Sequence, residues 1–177
     1  IVVHPKNLSD KTQFAIDQFV LAGGRLMVFV DPLCEADVPP GVNPMQAMQI
    51  PKNSDLPKLF SAWGIEMTPE RFAADRGTAL RVTVGSQQRP EPVDYLAWLQ
   101  LSKSKGCLSQ SDSATGGLET INVGTAGILT KKPEATIKFE PLLQTTSNAA
   151  AMDVKSVQFM PDPKQLLNDF QSGGKPL

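Results

Sequence analysis

The tightest constraint on this chain lies in its first thirty residues, where an apolar run, an amphipathic stretch and a second apolar run follow one another. Ile1-Val2-Val3 is the first run. After the loop His4-Pro5-Lys6-Asn7-Leu8, Ser9 and Asp10 mark a helix start. The hydroxyl accepts from unpaired backbone N–H groups, and the carboxylate suits the positive end of the helix dipole. Ala15, Ile16, Phe19, Val20 and Ala22 form an apolar stripe at helical spacing, with Lys11, Gln13, Asp17 and Gln18 mostly opposite. Gly23-Gly24 ends the helix, because glycine takes the left-handed terminal conformation without steric penalty. Residues 26–30 are then apolar on both sides, the pattern of a strand buried on both faces of a parallel sheet. The order predicts a right-handed βαβ unit, with residues 1–3 and 26–30 as adjacent parallel strands joined by a helix over residues 9–22.

Beyond Asp31-Pro32 the pattern loosens. In residues 33–53, Pro39, Pro40, Gly41, Pro44 and Pro51 forbid regular structure through most of the stretch. A loop this long is functional or poorly ordered, and residues 39–52 are expected to be mobile or to pack irregularly. Ser54 is expected to cap a second helix that carries Leu56, Leu59, Phe60 and Trp63 on one face and stops at Gly64. Pro57 is tolerated in its first turn. Residues 71–74, 80–84, 95–101, 122–129, 136–139 and 154–159 read as strands, with a short helix near 118–121. Asp162 caps a last helix that has Pro163 at its first position. No internal repeat divides residues 1–177, which read as a single α/β domain.

Composition removes several classes of function. Hydrophobic residues at 41% and charged residues at 20% describe a chain with a core, not a disordered one. A net charge of −1 supplies no basic surface for nucleic acid. No uninterrupted apolar run approaches the ~18–20 residues of a membrane span. Cys34 and Cys107 stand at no motif spacing and His4 is the only histidine, which argues against a zinc site of the usual kind. No metal and no cofactor is expected. Two unpaired thiols are favoured over a Cys34–Cys107 disulfide, since nothing in the sequence places the two within bonding distance.

Several motifs carry a family resemblance. They are His4-Pro5, Leu8-Ser9, the helix segment Ala15-Ile16-Asp17-Gln18-Phe19-Val20-Leu21, Gly23-Gly24, and Phe29-Val30-Asp31-Pro32. In that order they follow the HP-x-x-L-S loop, the AIDQF helix, its paired glycines and the F-x-DP strand end of GldG-like proteins, the gliding-motility-type ABC-transporter auxiliary family. Further matches are Ser54-Asp55-Leu56-Pro57-Lys58-Leu59, Trp63-Gly64, Pro141-Leu142-Leu143 and Thr146-Ser147. The chain resembles the soluble domain of that family. The resemblance implies a three-layer α/β sandwich with a mostly parallel central sheet. That architecture is similar to class I glutamine-amidotransferase (flavodoxin-like) folds, without their activity. It also implies a fragment of a longer protein, anchored by flanking membrane helices on the extracytoplasmic, periplasmic face of the cytoplasmic membrane. The implied partners are an ABC transporter permease and ATPase.

Chemistry-bearing residues gather near the predicted strand ends. Ligands of open parallel sheets bind beyond the carboxyl ends of the strands. His4 and Asn7 follow one strand and Asp31 the next, which makes them the candidate ligand- or partner-binding residues. The competing reading is loop architecture: Asp31 before Pro32 fixes a turn, and Asn7 or Ser9 caps the helix. Cys34 lacks the flanking glycines of a nucleophile elbow and reads as incidental, so no catalytic residue is assigned. Gly23-Gly24 follows a helix where a phosphate cradle must follow a strand, and Gly116-Gly117 lacks the Lys-Ser/Thr of a Walker-type loop. Trp63 lies on an apolar stripe and reads as core, while Tyr95 and Trp98 have ring faces suited to a sugar. The expectation is a non-catalytic extracytoplasmic binding domain of an ABC-type transport system. The alternatives are an amidotransferase- or hydrolase-like enzyme using Cys34 or Asp31, and a small-molecule or glycan-binding domain using the His4–Asp31 edge.

Overall fold

The N-terminal unit forms as its pattern dictates. In a computed structural model that describes residues 1–43, 46 and 50–177, β1 (Val2–Val3) and β2 (Val28–Phe29) run parallel. Val2 lies opposite Val28 and Val3 opposite Phe29. Between them runs α1 (Asp10–Leu21), whose N-cap Ser9 accepts a hydrogen bond from the Thr12 N–H. At the other end the N–H groups of Gly23 and Gly24 bond to the carbonyls of Val20 and Phe19, with Gly23 at φ 90°. This Schellman closure satisfies two orphan carbonyls and needs a residue free of a Cβ penalty. Two parts of the expectation fail. Of residues 26–30 only Val28–Phe29 is strand, and Met27 and Phe29 are 48% and 51% exposed, so the run is not buried on both faces. Phe19 stays 53% exposed, and α1 buries none of its residues completely. Its inner side is carried by Ile16, which with Leu8 ahead of the helix joins Val28 and Val30 against Leu56, Leu59, Phe60 and Met67.

Leu59 and Phe60 belong to α2 (Pro57–Trp63), which ends at Gly64 in the left-handed conformation. Trp63 packs on the same cluster, and its Nε1–H donates to Asp17 Oδ1 at 2.9 Å. Ser54 does not cap this helix; Leu56 is the N-cap and offers no side-chain bond. Ser54 is buried and locks onto Asp31 instead. Its N–H donates to the Asp31 carbonyl at 2.8 Å, and its Oγ accepts from the Asp31 N–H at 3.0 Å.

The three-layer sandwich with a mostly parallel central sheet does not form. The remaining strands are β3 (Ile65–Met67), β4 (Arg71–Asp75), β5 (Ala79–Ser86), β6 (Arg89–Ser102), β7 (Thr120–Gly124), β8 (Leu129–Lys131) and β9 (Ala149–Asp153). All of their pairings are antiparallel: β3 with β8, β4 with β9, and β5–β6–β7 in that order. The reason lies in the connections. A parallel neighbour needs a crossover of a dozen or more residues, whereas a tight turn can join only antiparallel strands. Here β5 and β6 meet through the two-residue turn Gln87-Gln88, with Ser86 opposite Arg89. That closing pair puts Pro90 and Pro92 opposite Gly85 and Thr83, at alternate positions that turn proline's missing N–H away from β5. β7 reaches only Trp98–Ser102, so no ladder on the other edge calls on those prolines.

Other expectations shift with this. Residues 71–74 and 80–84 do form strands, the first within β4 paired with β9 and the second within β5 paired with β6. Residues 136–139 form no strand, residues 118–121 lead into β7, and residues 154–159 hold α3 (Lys155–Gln158). The last helix stands where expected, as α4 (Pro163–Asp169), with Asp162 Oδ1 accepting from the Lys164 and Gln165 N–H groups. The expectation for residues 39–52 falls in part on residues 44, 45 and 47–49, which lie outside the described residues; residues 39–43 and 50–52 belong to no helix or strand. Among the described residues, no helix is long and apolar enough to cross a membrane.

The main core joins Phe72 and Ala74 of β4 to Tyr95, Leu96 and Ala97 of β6, with Val154, Val157 and Leu166 closing it from the C-terminal helices. Leu33, two residues beyond Asp31, is also part of this core. Cys107 sits in a separate cluster with Leu99, Leu101 and Leu108, and both thiols are free.

Candidate functional site

His4 leaves β1 with its N–H bonded to the Phe29 carbonyl and its backbone at φ +48°. A left-handed histidine is a costly conformation, of order 1–3 kcal/mol, that surrounding structure must hold. Asp31 leaves β2 held on both its backbone groups by Ser54. Leu33 is then fixed in the main core, and the Cys34 N–H bonds to the Lys52 carbonyl at 2.7 Å. Three side chains thus extend from three anchored backbones.

They converge. His4 Nδ1 is 3.7 Å from Asp31 Oδ2, and one ligand-type atom from each of His4, Asp31 and Cys34 lies within 4.8 Å of the others. On the other ring nitrogen, His4 Nε2 is 3.2 Å from Asp37 Oδ2. Lys6 pairs with the same Asp37 oxygen and donates to the Pro51 carbonyl at 2.6 Å. Burial pushes the Asp31 carboxyl above its ordinary range, with the His4 ring opposing in part. Hydrogen bonds from Lys6 and then His4 hold Asp37 below it. No hydrogen bond joins Cys34 Sγ to the His4 ring among the described residues.

Of the expected site residues, His4 and Asp31 come together. Asn7 does not join them: it is exposed at φ +51°, a conformation asparagine tolerates, and it shapes the loop. Cys34 and Asp37 are members of the cluster that sequence reasoning passed over. The strand-end rule that selects Asp31 reaches Cys34 three residues later. Asp37 carries no signal, because only the folded loop turns it back.

Glu35 serves a different neighbourhood. It accepts from Thr125 Oγ1 at 2.5 Å and from Trp98 Nε1 at 3.0 Å. Trp98 meets Tyr95 edge to face at 5.3 Å. Burial, with Glu35's charge adding to it, pushes the Tyr95 hydroxyl up to about 12. A cavity of about 560 Å³ opens here, lined by Leu33, Glu35, Tyr95 and Trp98 among others.

The two motifs that build the strand-end cluster, His4-Pro5 with Leu8-Ser9 and Phe29 to Pro32, also carry the family likeness. The family model described as "ABC-type uncharacterized transport system" matches residues 1–177. The chain belongs to this family. It is an auxiliary component of an ABC-type transport system, and membership implies association with transporter components. The GldG-like resemblance of its N-terminal motifs agrees with that assignment. No curated protein and no solved structure matches the chain.

Proposed function

We propose that this domain is a non-catalytic binding element of its transporter, standing on the extracytoplasmic face of the membrane and working with the permease and ATPase. The observation that carries this reading is the family match over the whole chain. Ligand or partner is engaged at the strand-end edge, with His4 and Asp31 at its centre and Asn7 exposed on the same loop. Two features favour binding over catalysis. Acyl-transfer chemistry needs a nucleophile hydrogen-bonded to its base, and Cys34 and His4 share no such bond. The turn after β2 also lacks the flanking glycines that present a nucleophile and oxyanion donors together.

The test has three arms. Reporter fusions in cells should place the domain outside the cytoplasm. The permease and ATPase should co-purify with the full-length auxiliary protein. Glutamine and ester hydrolysis should stay at background for wild type, Cys34→Ala and His4→Asn. A turnover that both substitutions abolish would install the enzyme reading, and an active cytoplasmic reporter would remove the extracytoplasmic one.

A further inference from the structure

The strand-end cluster has a feature that general ligand binding does not account for. Asp37 is a carboxylate held by Lys6, so it accepts and does not donate. At 3.2 Å from Asp37 Oδ2, His4 Nε2 therefore donates its N–H, and in the neutral imidazole the ring's lone pair is then on Nδ1. Nδ1 is buried and has no hydrogen-bond partner among the described residues. It faces Asp31 Oδ2 at 3.7 Å, beyond hydrogen-bond range, so in the neutral ring two electron-rich atoms face each other across a short gap. Cys34 brings a thiol to the same gap.

We propose that His4 Nδ1, the Asp31 carboxylate and Cys34 Sγ form a three-residue site for a borderline divalent transition-metal ion, with zinc the best fit. The donor set decides the class. An imidazole, a carboxylate and a thiolate together suit Zn²⁺ and its neighbours, whereas Mg²⁺ and Ca²⁺ call for oxygen alone. The spacing agrees. Metal bonds of about 2.0–2.3 Å in tetrahedral geometry put ligand atoms roughly 3.3–3.6 Å apart. The His4–Asp31 separation of 3.7 Å is already close, and the 4.8 Å outer limit of the trio leaves a contraction on the order of 1 Å.

The support is also in place. Ligating histidines usually donate their second N–H to a carboxylate, which fixes tautomer and ring orientation, and Asp37 does this for His4. Three protein ligands leave a fourth position open to water or to a further ligand. The sequence hides the site because positions 4, 31 and 34 match no metal-binding spacing. The proposal goes beyond the binding role above and holds in whichever compartment the domain resides.

The experiment titrates metal-free protein with Zn²⁺ by calorimetry and with Co²⁺ by absorption spectroscopy. One ion per chain is expected, with a thiolate-to-cobalt charge-transfer band and tetrahedral visible bands. The band should persist in Cys107→Ser and vanish in Cys34→Ser. His4→Asn, which tolerates the left-handed backbone, and Asp31→Asn should each weaken Zn²⁺ binding by at least about ten-fold, and Asp37→Asn by about ten-fold. Should Cys34→Ser fail to fold, the band retained in Cys107→Ser assigns the thiolate by elimination, since the chain has two cysteines. No stoichiometric binding by wild type, a cobalt spectrum without a thiolate band, or a band that survives Cys34→Ser would overturn the site.

Discussion

The parallel pair β1–β2 and the antiparallel pair β4–β9 are both two-stranded, yet they differ in how deeply they are buried. Val3 and Phe29, facing partners in the first, are 67% and 51% exposed. Phe72, Ala73, Ala74 and Asp75 of β4 are all buried. The first pair is held by local closures, the Ser9 cap and the Gly23-Gly24 termination, and by one-sided packing on α2. The second is held by a core drawn from β6 and the C-terminal helices. The candidate site straddles the two. His4 comes from the lightly packed unit, while Leu33, which stands between Asp31 and Cys34 in the chain, is fixed in the body core. Its geometry therefore depends on the seam between a locally stabilised element and a globally stabilised one.

The sharpest way to break this comparison is at the body's centre. Phe72 is fully buried, and Phe72→Ala should cost about 3–5 kcal/mol by urea denaturation, the sum of lost transfer energy and a residual cavity. A loss under about 1 kcal/mol would show that the antiparallel core is not what holds the molecule. Next is Asp75. Its carboxylate accepts from the N–H groups of Gly77 and Thr146 and from the hydroxyls of Thr78 and Thr146. Asp75→Asn turns one acceptor into a donor facing donors, and should cost about 2–3 kcal/mol in the same assay.

The same contrast explains what was legible in the residues. The N-terminal unit is written in contiguous signals, so its cap, paired glycines and parallel pairing can be read in order, while its apolar stripe overstates how far the helix is buried. The body is written in pairings between distant segments. Residues 71–75 look like a strand, but nothing local says that Ala149–Asp153 is the partner. The alanine-rich 149–151 carries little strand propensity, and residues 154–159, whose Val154 and Val157 stand three apart at helical spacing, coil as α3 after β9 has ended. Pro90 and Pro92 hid the first half of β6 because a proline's edge position shows only once the register is known. Two of the expected site residues, His4 and Asp31, were readable from strand ends. Cys34 stands in no recognisable motif, and Asp37 depends on a loop path that local sequence does not encode.

Two smaller effects sharpen the comparison. Tyr95, the chain's only tyrosine, belongs to the body core. Tyrosine is neutral below its pKa, so a folded value of about 12 against the ordinary 10.0 means that folding retains the proton. Stability from this group is intact below about pH 10 and drains away as pH climbs toward 12, because the unfolded chain ionises first. An ultraviolet absorbance titration should show no tyrosinate near pH 10 while the fold persists; ordinary ionisation there would mean that Tyr95 is open to water. In the N-terminal unit, Ser9→Ala removes the acceptor for the Thr12 N–H and should cost about 1 kcal/mol. Hydrogen exchange should report the loss in α1 amides and leave those of β4 and β6 unchanged.

The smallest effect comes from repeating the first substitution at the other end of the molecule. Phe14 lies on α1 and is 64% exposed, so most of its ring is already in water and truncation leaves no cavity. Two terms then compete. Removing the remaining contact area costs a fraction of the transfer energy of a buried ring. Alanine recovers part of that, because it is the better helix former by several tenths of a kcal/mol and loses no rotamer freedom. Phe14→Ala should therefore change stability by no more than about 0.5 kcal/mol in urea denaturation. The chemistry is the same as in Phe72→Ala, so the ratio of the two losses measures packing alone. A loss near that of Phe72→Ala would mean that α1 is as tightly integrated as the body. The account of β1–β2 as a locally closed unit would then fall, along with the seam on which the His4 cluster is placed.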